Sequence, residues 1–156
     1  MLVEATDSDF TALINGHPVG DLPPAPGLET TETLQMLAGV ARSIRRDFRP
    51  AAWLVVEHAT IVGLISIVAP PVAGAVAIGY GVAPADRGTG VMRRAIGDLL
   101  AVLSGNPRVT AVVADTSPDN LPSQRVLADN GFRPTGQRID PEDGELIGWR
   151  FDLPAA

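Results

Sequence analysis

Ile78-Gly79-Tyr80-Gly81-Val82-Ala83-Pro84-Ala85-Asp86-Arg87-Gly88-Thr89-Gly90-Val91-Met92 is the stretch whose reading decides the fold. It reads as an apolar strand that stops at Pro84, then a short turn. A glycine-spaced loop follows and feeds the amphipathic run Val91 to Leu103. A loop of that kind at a helix start presents unpaired backbone N–H groups, and the helix dipole adds partial positive charge. Phosphate oxygens suit such a place. A β-carbon at Gly88 or Gly90 would hold a diphosphate away from the backbone. The stretch therefore predicts a pyrophosphate-bearing cofactor.

Downstream, the helix is predicted to bury Val91, Ala95, Ile96, Leu99, Leu100 and Leu103, and Ser104-Gly105-Asn106-Pro107 ends it. Arg108 to Ala114 is the next strand, reached by a helical crossover and so parallel to the first. Asp115 to Asp119 is a turn. Asn120 caps a helix with Pro122 in its first turn and Gly131 just past its end. Strands from Phe132 to Gln137 and from Leu146 to Leu153 flank the polar loop Asp140–Gly144. Upstream, Trp53–His58 and Ile61–Val68 form a hairpin with a turn at Ala59-Thr60, and Pro70-Pro71 links it to Ala75–Val82. These connections are too short for helices, so the three strands make an antiparallel meander. The chain opens with a short strand, Leu2 to Ala5, and a helix from Asp9 to Ile14. A second helix from Glu29 to Phe48 has Arg42, Arg45 and Arg46 on a solvated face. The Gly/Pro-dense segment Asn15–Gly27 between the helices is loop, equally readable as functional or as a solvated connector.

Bulk composition narrows the field. At 156 residues the chain is expected to form one domain over 1–156, with a core that needs no staples. There is no cysteine, which excludes disulfides, thiolate metal sites and a cysteine nucleophile. His17 and His58 lack ligand-like spacing, so no metal is expected. A formal net charge of −6 argues against nucleic-acid binding. Ala59 to Ala85 carries no charged residue, but its Pro-Pro pair, glycines and β-branched residues read as two buried strands, not a membrane helix. Nothing at the N-terminus looks like a signal peptide, and a cytoplasmic location is expected.

Two local signatures resemble the GNAT superfamily of acetyl-CoA-dependent N-acetyltransferases. Arg87-Gly88-Thr89-Gly90-Val91-Met92 looks like that family's acyl-CoA pyrophosphate loop, and Asn120-Leu121-Pro122-Ser123 with Gly131-Phe132 is similar to its Asn-x-x-Ser…Gly-Phe helix. Met92 and the lead-in Ile78-Gly79-Tyr80 resemble the branch acetylating N-termini of ribosomal proteins. The resemblance covers about residues 50 to 153. It implies an α/β (mixed α+β) fold with a mostly antiparallel twisted sheet of roughly six to seven strands, splayed at one parallel pair and flanked by about four helices. It implies acetyl-CoA as cosubstrate, with diphosphate on Arg87, Gly88, Thr89, Gly90, Val91 and Met92. The pantetheine arm would lie along Gly81, Val82 and Ala83, and Asn120 and Ser123 would face the slot. An amine acceptor would enter between the Gly16–Gly27 segment and Asp140–Gly144, where Asp140, Glu142 and Asp143 could attract a cation. A homodimer is compatible with it.

Direct transfer needs a neutral amine, a polarised carbonyl and a proton for the departing thiolate. Ser123 and Tyr80 are the catalytic candidates, with Glu57 or Asp115 as a remote base. Relatives with the Glu-Ile-Gly-Tyr strand have a carboxylate where this chain has Ala77, and many family members have a tyrosine where it has Leu127. Two alternatives remain at this point: an acyl-CoA-binding fold without turnover, and a dinucleotide-binding oxidoreductase using Gly88-Thr89-Gly90 and Asp115.

Overall fold

The computed structural model describes residues 1–154. Strand β1 (Leu2–Glu4) leads into Thr6, whose side chain accepts from the Asp9 N–H while Asp9 accepts from the Thr6 N–H. That reciprocal box starts α1 (Asp7–Ile14) two residues before the predicted position. Thr30 caps α2 (Thr31–Ile44) by accepting from the Thr33 N–H. Arg45 follows that helix and is not solvated as expected: it donates to Asp7 and to the Ala5 carbonyl, tying the end of α2 to the start of α1.

Strands β2 (Ala52–Glu57), β3 (Thr60–Val72) and β4 (Ala75–Val82) form the predicted meander. Its first turn is His58-Ala59, one residue earlier than expected, with both residues at positive φ as a tight hairpin of right-handed twist requires. Pro70-Pro71 is not a linker. It lies inside the far end of β3, and Ala73-Gly74 makes the turn. The prolines are tolerated because β2 pairing stops at Ala52↔Ser66 and the register with β4 slips between Ala69 and Val72. A short 3-10 turn (Pro84–Asp86) and the glycine loop then lead to α3 (Val91–Ser104). Strand β5 spans Ala111–Thr116, not Arg108–Ala114. Asn106 Oδ1 accepts from the Arg108 N–H and holds that segment in a turn, so Asp115 and Thr116 are strand residues. Asn120 caps α4 (Leu121–Asp129), and β6 (Arg133–Asp140) and β7 (Gly144–Asp152) close the chain as a hairpin.

The seven strands form one sheet in the order β1-β2-β3-β4-β5-β7-β6, antiparallel except for β4 against β5. Helix α2 packs on β3, with α1 beside it. Helices α3 and α4 lie on the other face: a β-carbon on Gly63 of β3 would point at Met92 of α3, and Tyr80 of β4 reaches Ser123 of α4. Ile96, Leu99 and Leu103 of α3 are fully buried, and at about 1.5–3 kcal/mol each their burial fixes the helix on the sheet. No described helix is long and apolar enough to cross a membrane.

Candidate active site

The site begins where the parallel pair parts. β4 and β5 pair from Ala75↔Ala111 to Ile78↔Ala114 and no further, while β5 turns to β7 alone through Asp115 and Thr116. From Gly79 onward β4 therefore has a free edge. The Ala83 N–H donates to Val62 of β3 and the Gly81 carbonyl faces Gly63. By strand alternation the backbone groups of Tyr80 and Val82 point the other way, into the gap. Gly81 and Ala83 face β3 instead, and Ala83 is fully buried.

A cavity of about 1030 Å³ opens at this gap, at the top of the range of roughly 300–1,000 Å³ common for ligand sites. Gly27 to Thr30 form one wall and Asn120 to Asp129 of α4 another, with Tyr80 to Val82 between them. The phosphate-type loop closes one end. Gly90 is the N-cap of α3 at φ 80°, with no side-chain cap, and among the described residues no partner receives the N–H groups of Gly88 to Arg93. Gly88 stands at φ 74° with open space where a β-carbon would be. Arg87, Arg93 and Arg125 line the same cavity. Thr89 turns aside to donate to the Asp86 carbonyl, and Arg94 leaves the cavity to pair with Glu57 at 2.8 Å. Free N–H groups, an uncapped helix N-terminus and three guanidiniums fit a diphosphate with further anionic charge.

At the gap itself Tyr80 Oη lies 2.7 Å from Ser123 Oγ and 3.2 Å from the Ser123 carbonyl oxygen. Burial raises the Tyr80 phenol above its ordinary value, and the hydrogen bond to Ser123 offsets part of that rise. The phenol thus keeps its proton at neutral pH. Asn120 Oδ1 accepts from the Ser123 N–H at 3.2 Å, so the cap also sets where Ser123 stands.

Other sequence candidates lie elsewhere. Glu57 is held by Arg94, and Asp115 is held by both terminal guanidinium nitrogens of Arg138 at 2.6 Å; neither lines the cavity. That carboxylate contact raises the Arg138 pKa further. Asp140 accepts the Glu142 and Asp143 N–H groups, which lower its pKa, Asp143 most. The Asp140–Gly144 loop therefore folds on itself and takes no part in the cavity. Leu127 is fully buried core, and Ala77 pairs with Val113 before the gap opens. Sequence reasoning missed Glu29. The segment before it is docked, with Ala25 and Ile61 joined by a 2.9 Å hydrogen bond and Gly27 against Pro84. This brings Glu29 over Gly81, where a β-carbon would meet its Oε2 at 3.3 Å. Only its place beside Thr30, the cap of α2, hinted at this. Among the described residues no cluster of three or more His, Asp or Glu could hold a metal ion.

A mixed sheet parted at its one parallel pair, with an anion cradle at one end of the gap, defines an acyl-CoA transferase fold. Residues 1–133 match the family model of the acetyltransferase (GNAT) domain, and the chain belongs to that family. Solved structures carry the same fold. The ribosomal L7/L12 α-N-protein acetyltransferase RimL in complex with coenzyme A is 18% identical at a TM-score of 0.74, over 97% of this chain and 93% of that one. RimJ of Mycobacterium smegmatis with a CoA-disulfide is 21% identical at 0.71, over 97% and 80%. Aminoglycoside acetyltransferase AAC(6')-Ib in complex with coenzyme A is 17% identical at 0.71, over 97% and 94%. No curated protein matches the chain significantly in sequence. Family and fold are those of acetyl-CoA-dependent N-acetyltransferases, and a dinucleotide-binding oxidoreductase falls away: the sheet has one parallel pair, not a doubly wound half.

Proposed function

We propose that this chain moves the acetyl group of acetyl-CoA directly to a primary amine: a protein or peptide N-terminus, an amino acid or a small amine. The observation that carries the reading is the Tyr80–Ser123 hydroxyl pair, 2.7 Å apart, at the gap served by the loop 87–92 cradle. Acetyl-CoA, when bound, supplies an activated thioester. The N–H groups of Gly88 to Met92 and the Arg87 guanidinium hold its diphosphate. Backbone groups of Tyr80 and Val82 take the amide-rich arm as an added strand would. Ser123 Oγ, positioned by Asn120 and hydrogen-bonded to a protonated Tyr80, holds a proton for the departing sulfur. The tyrosine that many relatives place on the helix would thus come here from the strand, which is consistent with Leu127 belonging to the core.

Calorimetry with coenzyme A and with NAD, followed by thiol release from acetyl-CoA in the presence of an amine panel, tests this. Binding of coenzyme A alone and thiol release with at least one amine are expected. Ser123→Ala and Tyr80→Phe should each lower turnover by roughly 10²-fold with coenzyme A affinity retained. Heat with NAD but not coenzyme A would overturn the reading. Ala77 and the buried Leu127 favour a second reading, acyl-CoA binding without turnover. Coenzyme A binding with no thiol release from any amine would select it.

A further inference from the structure

Resting on that amine-transfer reading, the structure assigns Glu29 as the carboxylate that receives the acceptor ammonium and removes its proton. Tyr80 and Gly81 are neighbours on β4, so their side-chain directions are opposite. Tyr80 points to α4 and Ser123, while a β-carbon on Gly81 would point at Glu29 Oε2. Ser123 and Glu29 therefore stand on opposite faces of the sheet, and both line the one cavity through the gap. The cradle, Arg87, Arg93 and the α4 residues all belong to the Ser123 face. The Glu29 face is left for the second reactant.

The competing carboxylates are accounted for. Glu57 and Asp115 are paired with arginines outside the cavity. Asp86 and Asp129 line the cavity but sit in the turn below the cradle and at the end of α4, on the cofactor face. Glu29 is partly buried and makes no hydrogen bond or ion pair with any described residue, so its oxygens are open to an incoming cation. Glycine at 81 leaves the space that this contact needs.

The step balances as follows. The acceptor R–NH3⁺ gives one proton to the Glu29 carboxylate, directly or through one water. The freed nitrogen lone pair forms the C–N bond at the thioester carbonyl carbon and the C–S bond breaks. The second nitrogen proton passes to the thiolate by way of the Ser123 hydroxyl, and Glu29 returns its proton to solvent. Amide and thiol leave, with one proton released overall.

The probes are spermidine, benzylamine and a short peptide with a free α-amino group. Glu29→Gln should lower kcat/KM for the best of these by about 10²-fold or more. It should also weaken that amine's calorimetric binding to the coenzyme A-saturated protein by about tenfold, while coenzyme A affinity and melting temperature stay unchanged. Glu29→Asp should recover part of both losses, and Glu32→Gln, exposed in the first turn of α2, should lose neither. Amine binding and turnover within twofold of wild type in Glu29→Gln would overturn the assignment. A wild-type chain that turns over none of the probes, or that fails to bind coenzyme A, would instead overturn the amine-transfer reading beneath it.

Discussion

Tyr80 Oη and Ser123 Oγ meet at 2.7 Å across the junction of β4 and α4, joining two residues 43 positions apart. Tyr80 is the chain's only tyrosine, so phenolate absorbance reports it alone. Its ionisation is expected above the ordinary value of 10.0, because burial opposes the phenolate. Ser123→Ala removes the hydrogen bond that lowers the value and should push it higher still. The native state keeps the proton where the unfolded chain loses it. This contribution to stability is thus complete below the unfolded value and is lost as pH rises through the folded one. Denaturant midpoints measured through the alkaline range should show that decline in wild type and lose it in Tyr80→Phe.

The anion cradle depends on two glycines in left-handed conformation. Gly90→Ala would place a β-carbon 3.1 Å from Arg94 Nη1 at φ 80°, and Gly88→Ala is strained at φ 74° but sterically open. Each should cost about 1–2 kcal/mol of stability. Calorimetry should show coenzyme A affinity falling by at least tenfold in both, since the backbone is held off its ligand. Unchanged affinity in both would remove the loop from the site.

Leu127, which the family resemblance sets where a tyrosine would be expected, is fully buried. Leu127→Tyr should therefore overpack the core and destabilise by about 1–3 kcal/mol without raising turnover. A gain in kcat with stability retained would mean that α4 can present a hydroxyl at the gap after all.

Ser66 on β3 is buried, and among the described residues its hydroxyl has no hydrogen-bond partner. An unmet buried donor costs about 1–3 kcal/mol. Ser66→Ala is expected to raise the urea midpoint without changing the slope of the transition. A lower midpoint would reveal a bond that the hydroxyl makes.

Much of the fold was legible because local chemistry specified it. Thr30, Asn120 and Gly131 mark helix ends by side chain or by φ, and the uncharged strands around Pro70 read as a meander from their β-branched residues. What local chemistry could not carry was pairing. Pro70-Pro71 looked like a linker because a proline is excluded from a ladder only where a partner waits for its N–H, and β2 had already ended. The start of β5 was misplaced for a like reason: Arg108 is apolar-flanked, but Asn106 turns its backbone away. At the site, the cradle showed in the spacing of Arg87, Gly88 and Gly90. Glu29 did not, since its relevance arises from Ala25 docking on Ile61, a contact 36 positions away that no window of sequence contains.

The prolines inside β3 carry a consequence for self-association. Beyond Ser66 this strand has lost β2 and exposes Val68 and Val72, the combination that invites another chain to add a strand. Pro70 and Pro71 are adjacent, so by strand alternation one of them takes a donor from that edge and the other from the β4 side, and an arriving strand would find the ladder interrupted there. A second copy of the chain therefore has no continuous ladder to extend here. The exposed valines can remain at the surface without seeding fibrous growth.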